Sequence, residues 1–326
     1  MQKRVRELGV VPGHLPTGPL NAITDVPGVR VGHTTLDDGA DLHTGVTAIV
    51  PDALAGDRSE LPAAVAVGNG YGKLVGSTQV DELGVLETPI VLTATLSVFR
   101  AADALLTWLL DRDPAAVSLN PVVGETNDSF LSDIRRRPIT EQHVLAALGN
   151  ATAGLPDEGC VGAGTGTSAL GFKAGIGTSS RVMATGVVGV LVQANFSGVL
   201  RVLGTPVEAP PSDREPAGNS CMIVVGTDLP LESRQLSRVA RRAIFAMGSV
   251  GSDYAPGSGD YAIAFSTSPG GRLPDKQLKP VFQATMESVE EALLNSLTMA
   301  RTVTGYRGNT RHAVPHDLVR AAARRG

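Results

Sequence analysis

The chain has 326 residues, 42% of them apolar and 18% charged, enough apolar material for a large core, which excludes a disordered chain. A net charge of −4, with only a short basic tail of Arg320, Arg324 and Arg325, excludes the electrostatic footprint of a nucleic-acid binder. Two cysteines, Cys160 and Cys221, exclude a disulfide framework.

No apolar run approaches the roughly 20 residues of a membrane span, and the first residues lack a signal-peptide pattern, so the expectation is a cytoplasmic protein. Charge density below the usual level of about 25% predicts occluded surface and hence a homo-oligomer.

In chain order, apolar or β-branched runs bounded by Gly, Pro or Asp predict buried strands over 45–50, 63–67 and 89–93. A helix around Trp108 follows over 98–111. Further strands are expected over 117–123 and 186–194. Residues 204–219, rich in proline and polar side chains, read as a linker or exposed loop. A strand over 222–226 comes next, and then Leu236, Val239, Ala240, Ala243, Ile244 and Met247 give helical spacing over 231–248. A strand over 261–266 precedes a second stripe, Met286, Val289, Leu293, Leu297 and Ala300, which predicts a helix over 276–304 with Gly305 just past its end. Strands and helices mix without a strict βαβ rhythm, and no repeat is visible, so an α/β or α+β sandwich is expected.

The abrupt change is at Ser220, between a polar loop and the apolar run Cys221 to Val225. A serine there can attack the carbonyl of Asn219, shift the acyl group from nitrogen to oxygen, and let water release a new N-terminus. The freed α-amine, with an ordinary pKa of about 7.7–8.0, is then a general base for its own hydroxyl. By themselves these residues fit an ordinary strand start as well, since serines at loop-to-strand boundaries are common. Strand alternation turns Cys221 to the opposite face, into the core.

Other signals are weaker. Gly162, Gly164, Gly166, Gly171, Gly175 and Gly177 match no phosphate-loop template, and Lys173 does not complete one, so close backbone packing is the preferred reading. His312 and His316 are separated by Pro315, which argues against a helical metal pair. No metal and no cofactor are expected. The acceptor patterns at Asn127, Asn150 and Asn195 carry no weight without secretion.

VGAGTGTSALGFKAGIGTSS (161–180), VLVQANFSG (190–198), GNSCMIVVGTDLPL (218–231), GSGDYAIAFST (257–267) and VEEALLNSL (289–297) occur in that order. Together with VPGVRVGHTT (26–35), TGVTAIVP (44–51), LGVLETPIVLT (83–93) and VVGETND (122–128), they resemble the self-processing L-aminopeptidase/D-esterases and β-aminopeptidases over most of the chain. The resemblance implies one domain, a four-layer αββα sandwich, cut into 1–219 and 220–326, and a homo-oligomer such as a tetramer. It implies hydrolysis of an N-terminal residue, α or β, L or D, from short peptides, amides or esters.

Carried over residue by residue, the resemblance implies that Ser220 is the nucleophile and Asn219–Ser220 the cleaved bond. Asn195 would stabilise the oxyanion, and Ser258 and Asp260, alternate residues of one strand, would hydrogen-bond the nucleophile and its amine. Asn127 stands where the family often has tyrosine, beside Glu125; both are expected at the substrate. Glu125, Asp128 and Asp133 are candidates for the substrate ammonium. Departures fall in the pocket: Val67-Gly68-Asn69-Gly70-Tyr71, Ser77-Thr78-Gln79 and Thr93-Ala94-Thr95-Leu96-Ser97 replace the family's usual runs. Two rival functions are an acyltransferase of the ornithine-acetyltransferase type, which serine in place of threonine weighs against, and an unprocessed small-molecule-binding protein.

Overall fold

The computed structural model describes residues 2–55, 60–211 and 219–325. From the N-terminus run β1 (Val29–Asp37), β2 (His43–Pro51), β3 (Leu61–Gly70), β4 (Leu74–Val75), α1 (Ser77–Leu83), β5 (Val85–Leu86), β6 (Ile90–Ala94), α2 (Val98–Leu110), β7 (Val122–Thr126) and α3 (Glu141–Gly149). The short β8 (Ser168–Ala169) and β9 (Phe172–Lys173) lead to the long hairpin β10 (Ile176–Met183) and β11 (Gly186–Asn195). Then come β12 (Leu200–Val202), β13 (Thr205–Val207), β14 (Asn219–Thr227), α4 (Ser233–Ala246), β15 (Ser258–Ser266), α5 (Leu278–Thr298), β16 (Val303–Thr304), β17 (Thr310–Arg311) and α6 (His316–Ala323).

Two sheets carry the chain, a five-stranded one in the order β1-β2-β6-β7-β4 and a six-stranded one in the order β10-β11-β14-β15-β3-β5. Strand alternation sorts their side chains. On β14, Met222 and Val224 join Ile49, Leu92, Leu191, Ile263 and Phe265 in a core shared by both sheets. Cys221, Ile223 and Val225 point the other way, to Val239 and Ala243 of α4 and Val289 and Leu293 of α5. Burial pushes the Cys221 thiol well above its usual pKa, so it is held as an inert neutral group. Leu105 and Trp108 of α2 and Val144 and Leu148 of α3 cover the outer face of the five-stranded sheet through Val46, Ala48 and Val91. Among the described residues no helix is long and apolar enough to cross a membrane.

Some expectations need correction. The strand expected over 117–123 begins only at Val122, and Val117 is 100% exposed. Pro121 has no N–H to give a neighbouring strand, and the Asn120 amide is already spent on the Glu87 carboxylate at 2.7 Å. The last long helix stops at Thr298, so Gly305 is not its cap; Ala300 and Val303 instead pack with Phe130, Leu131 and Cys160. Within the expected 204–219 loop, Thr205–Val207 pairs with Leu200–Val202 in a hairpin, and 212–218 lies outside the described residues.

β10 was not expected, because Thr178, Ser179, Ser180 and Arg181 are polar yet fully buried. Each has a partner: Thr178 Oγ1 donates to the Val190 carbonyl at 2.6 Å, Ser179 Oγ to Ser288 O at 2.7 Å and Ser180 Oγ to Asp25 at 2.6 Å. Arg181 donates to Glu287 at 3.1 Å and Glu291 at 2.8 Å on α5. Gly177 lets α5 come this close, since a Cβ there would lie 1.9 Å from the Ala292 carbonyl oxygen. Arg181→Ala strips the buried acids of their shared cation and is expected to cost about 3–5 kcal/mol, readable as a lower denaturant midpoint; an unchanged midpoint would show the network to be dispensable.

Candidate active site

β14 lies between an antiparallel neighbour, β11, and a parallel one, β15, and its second residue is Ser220. The register sets Ser220 opposite Asn195 and beside Gly259. Direct cross-strand neighbours share a face, so Ser220 and Asn195 look with Gln193 and Met222 into the space between the sheets. Ser220 is 2% exposed, and its Oγ donates to the carbonyl oxygen of Asn219, the residue before it. The Asn219 side chain donates to Ser197 Oγ at 3.1 Å.

Asn195 ends β11 and ties two loops to it. Its Oδ1 accepts from the Ser168 amide at 3.0 Å, and its Nδ2 donates to the Asn127 carbonyl at 2.9 Å. A carboxamide nitrogen carries two hydrogens, so one N–H remains for another acceptor. Asn127 itself turns its side-chain oxygen onto the Ser129 amide at 3.0 Å, an Asx turn within its own loop.

Ser258 and Asp260 do meet: Ser258 Oγ donates to Asp260 Oδ1 at 2.7 Å. Their register partners are Asn219 and Cys221, which sets Ser258 beside the Asn219–Ser220 peptide bond and puts both side chains on the Cys221 face of the sheet. Asn69 of β3, Asp260's partner across the other edge, donates to Asp260 Oδ2 at 3.0 Å. Burial raises the Asp260 pKa, and the hydrogen bonds from Ser258 and Asn69 pull it back. Asn69 was legible only as part of an altered pocket; its role as holder of Asp260 needs the strand order.

Glu125, near the end of β7, is 2% exposed. Its Oε1 accepts from the Lys73 amide at 3.0 Å and lies 3.5 Å from Lys73 Nζ, while Oε2 has no hydrogen-bond partner. Burial raises its pKa, and Lys73 opposes the rise. Two glycines bring it to the junction. A Cβ on Gly259, the neighbour of Ser220, would come within 2.9 Å of Gly72 Cα, and one on Gly72 within 3.0 Å of Glu125 Oε1. Gln193, missed in the sequence, joins the sheets beneath: its Nε2 reaches Thr93 O at 3.2 Å, Thr126 Oγ1 at 2.8 Å and Ala163 O at 2.9 Å.

Asp128 is buried, and burial pushes its pKa from 3.8 to about 7 against the pull of Thr44. The native chain therefore resists an ionisation the unfolded chain undergoes freely. Its stabilising preference for the protonated form is full below pH 3.8 and is lost as pH rises to about 7. Asp128→Asn removes this loss, so its melting temperature relative to the parent should climb between about pH 4 and pH 7 and then level off; a flat difference would contradict the assignment. Asp133 is not joined to this cluster by any hydrogen bond; its backbone amide is tied to Asp41 at 2.7 Å. Lys173, also buried, gives its ammonium to the Gly164 and Ala174 carbonyls, so the glycine-rich stretch is filled by the chain itself.

Beside Asn219 opens a cavity of about 640 Å³ lined by Ser168, Leu170, Phe196, Val199, Glu208 and Arg311 among others. Among the described residues no group of three or more His, Cys, Asp or Glu side chains converges as metal ligands. The arrangement is thus a buried hydroxyl against a peptide carbonyl, a carboxamide on the same face, and an acid–hydroxyl pair beside the same peptide bond.

Comparison with known proteins gives the family. The chain is 39% identical to the β-peptidyl aminopeptidase BapA of Sphingosinicella xenopeptidilytica, across 96% of this chain and 89% of the relative. A Burkholderia β-aminopeptidase superposes with a TM-score of 0.91 at 36% identity over 99% of both chains. The L-aminopeptidase D-Ala-esterase/amidase of Ochrobactrum anthropi, described as a prototype for the serine aminopeptidases and a new variant of the Ntn hydrolase fold, superposes equally well, with a TM-score of 0.91 at 35% identity over 99% of this chain and 98% of that one. The model of peptidase family S58 matches residues 21–311, and with that match across both sheets, the chain belongs to peptidase family S58.

Proposed function

We propose that this chain is a self-processing serine aminopeptidase. The observation that carries the reading is the Ser220 hydroxyl lying against the Asn219 carbonyl, with Asn195 opposite on the same face. Ser220 Oγ attacks the Asn219 carbonyl carbon, the C–N bond breaks, and the amine of Ser220 leaves with a proton. Water then hydrolyses the ester, leaving a carboxylate on Asn219 and fragments 1–219 and 220–326. The freed amine takes the proton of its own hydroxyl when a substrate carbonyl arrives. The acyl-enzyme that follows is opened by water.

In this reading the second N–H of Asn195 receives the oxyanion. Ser258 and Asp260, held by Asn69, lie where the new amine is formed and orient it. Glu125, with an unpartnered oxygen, takes the ammonium of the residue released, and Asn127 borders it through the carbonyl that positions Asn195. The helices outside and the two sheets within are read as a four-layer αββα sandwich forming one domain, working as a homo-oligomer in the cytoplasm.

Denaturing electrophoresis with N-terminal sequencing tests the reading. The expected result is two bands, the smaller beginning Ser-Cys-Met-Ile. One unbroken chain in a preparation that hydrolyses peptides would reject self-processing, and one unbroken chain without activity would favour the small-molecule-binding alternative.

A further inference from the structure

The charge beside the junction is not that of a simple ammonium site. Lys73 follows Gly72 directly, so the close packing of Gly72 on Gly259 carries it to the same edge as Glu125. Its Nζ is fixed by Thr95 Oγ1 at 2.8 Å and stands 3.5 Å from Glu125 Oε1, yet its side chain is 40% exposed. An ammonium has three donors, so one remains for a further acceptor. Glu125, in contrast, is buried, with Oε2 unpartnered.

Charge balance decides what such a pair accepts. Glu125 and Lys73 already neutralise each other, and a lone ammonium arriving at Oε2 would add an uncompensated positive charge in a desolvated place. A group bearing an ammonium and a carboxylate on one carbon adds none. It also matches the pair in sense, cation to Glu125 and anion to Lys73.

Resting on the aminopeptidase reading above, we propose that Lys73 determines specificity by binding a carboxylate on the residue being released, so that the preferred substrates are β-aspartyl amides and peptides. In these the scissile carbonyl is the side-chain one, and the α-ammonium and α-carboxylate are both free. Ser220 Oγ attacks the β-carbonyl carbon, the C–N bond breaks and the amine leaves protonated; water then cleaves the ester and releases aspartate.

Two chromogenic substrates isolate the carboxylate: L-aspartic acid β-(p-nitroanilide) and β-alanine p-nitroanilide, which differ by that group alone. The processed enzyme is expected to favour the aspartyl compound in kcat/KM by about tenfold or more, the size of one charged hydrogen bond. Lys73→Met should bring the ratio to about one, and Lys73→Arg, which keeps the cation, should retain most of it. A ratio at or below one in the parent enzyme, or a preference that survives Lys73→Met, overturns the proposal. Hydrolysis of the β-alanine compound at any ratio leaves the aminopeptidase reading intact, whereas failure to hydrolyse either substrate removes both.

Discussion

Ser220→Ala is expected to leave a single 326-residue chain on a denaturing gel and to lower peptidase activity by about 10⁴-fold or more, as removal of the nucleophile does in serine proteases. The change deletes one oxygen from a buried residue whose Oγ, among the described residues, bonds the carbonyl just before it, so β14 keeps its ladder to β11 and β15. Loss of function with an unchanged circular dichroism spectrum therefore separates chemistry from folding. A Ser220→Ala sample that still appears as two fragments would remove the proposed nucleophile.

Asn195→Ala ranks second. Removing an oxyanion donor typically costs about 2.7–4 kcal/mol, or 10²–10³ in kcat, and the expected loss is of that size with a smaller change in KM. Because Asn195 also joins Ser168 to Asn127, some stability goes with it, about 1–3 kcal/mol for groups left unpaired. Asn195→Asp gives a second bound on the assignment. It keeps an acceptor for the Ser168 amide but sets a carboxylate oxygen against the Asn127 carbonyl and has no N–H for an oxyanion, so it should restore neither stability nor kcat. Equal kcat in the parent and both variants would dismiss the assignment.

The interior was largely legible because burial writes itself as uninterrupted apolar runs. β2, β3, β11, β14 and β15 contain the runs that suggested them, β6 takes up all of its run but Pro89, α4 and α5 follow from stripes at helical spacing, and α2 lies where a helix around Trp108 was expected. β10 was hidden because its buried residues are Thr, Ser and Arg, and Ser179, Ser180 and Arg181 are paired to partners far along the chain. The 117–123 run misled in the opposite sense, since β propensity at Val117 meets no neighbouring strand. Ser220, Asn195, Ser258 and Asp260 could be named from motif order, but not how they face one another. That Ser258 stands beside Asn219 and Asp260 beside Cys221, both on one side of the sheet, is a property of parallel register. The contributions of Asn69, Lys73 and Gln193 were illegible for the same reason: each reaches its partner only through the pairing of strands remote in sequence.

The six-stranded sheet interleaves the two prospective fragments. β14 is flanked by β11 from the first and β15 from the second, and β15 by β3 from the first. A cut before Ser220 would therefore divide the polypeptide without dividing the sheet, and the pieces could part only by tearing open the core. Assembly would be a unimolecular search made while the chain is whole; afterwards, regaining the structure from the denatured state would require two molecules to find each other, with a yield that depends on dilution. The mature protein would thus owe its persistence to never having come apart, and its heat inactivation should prove irreversible where that of the uncut Ser220→Ala chain does not.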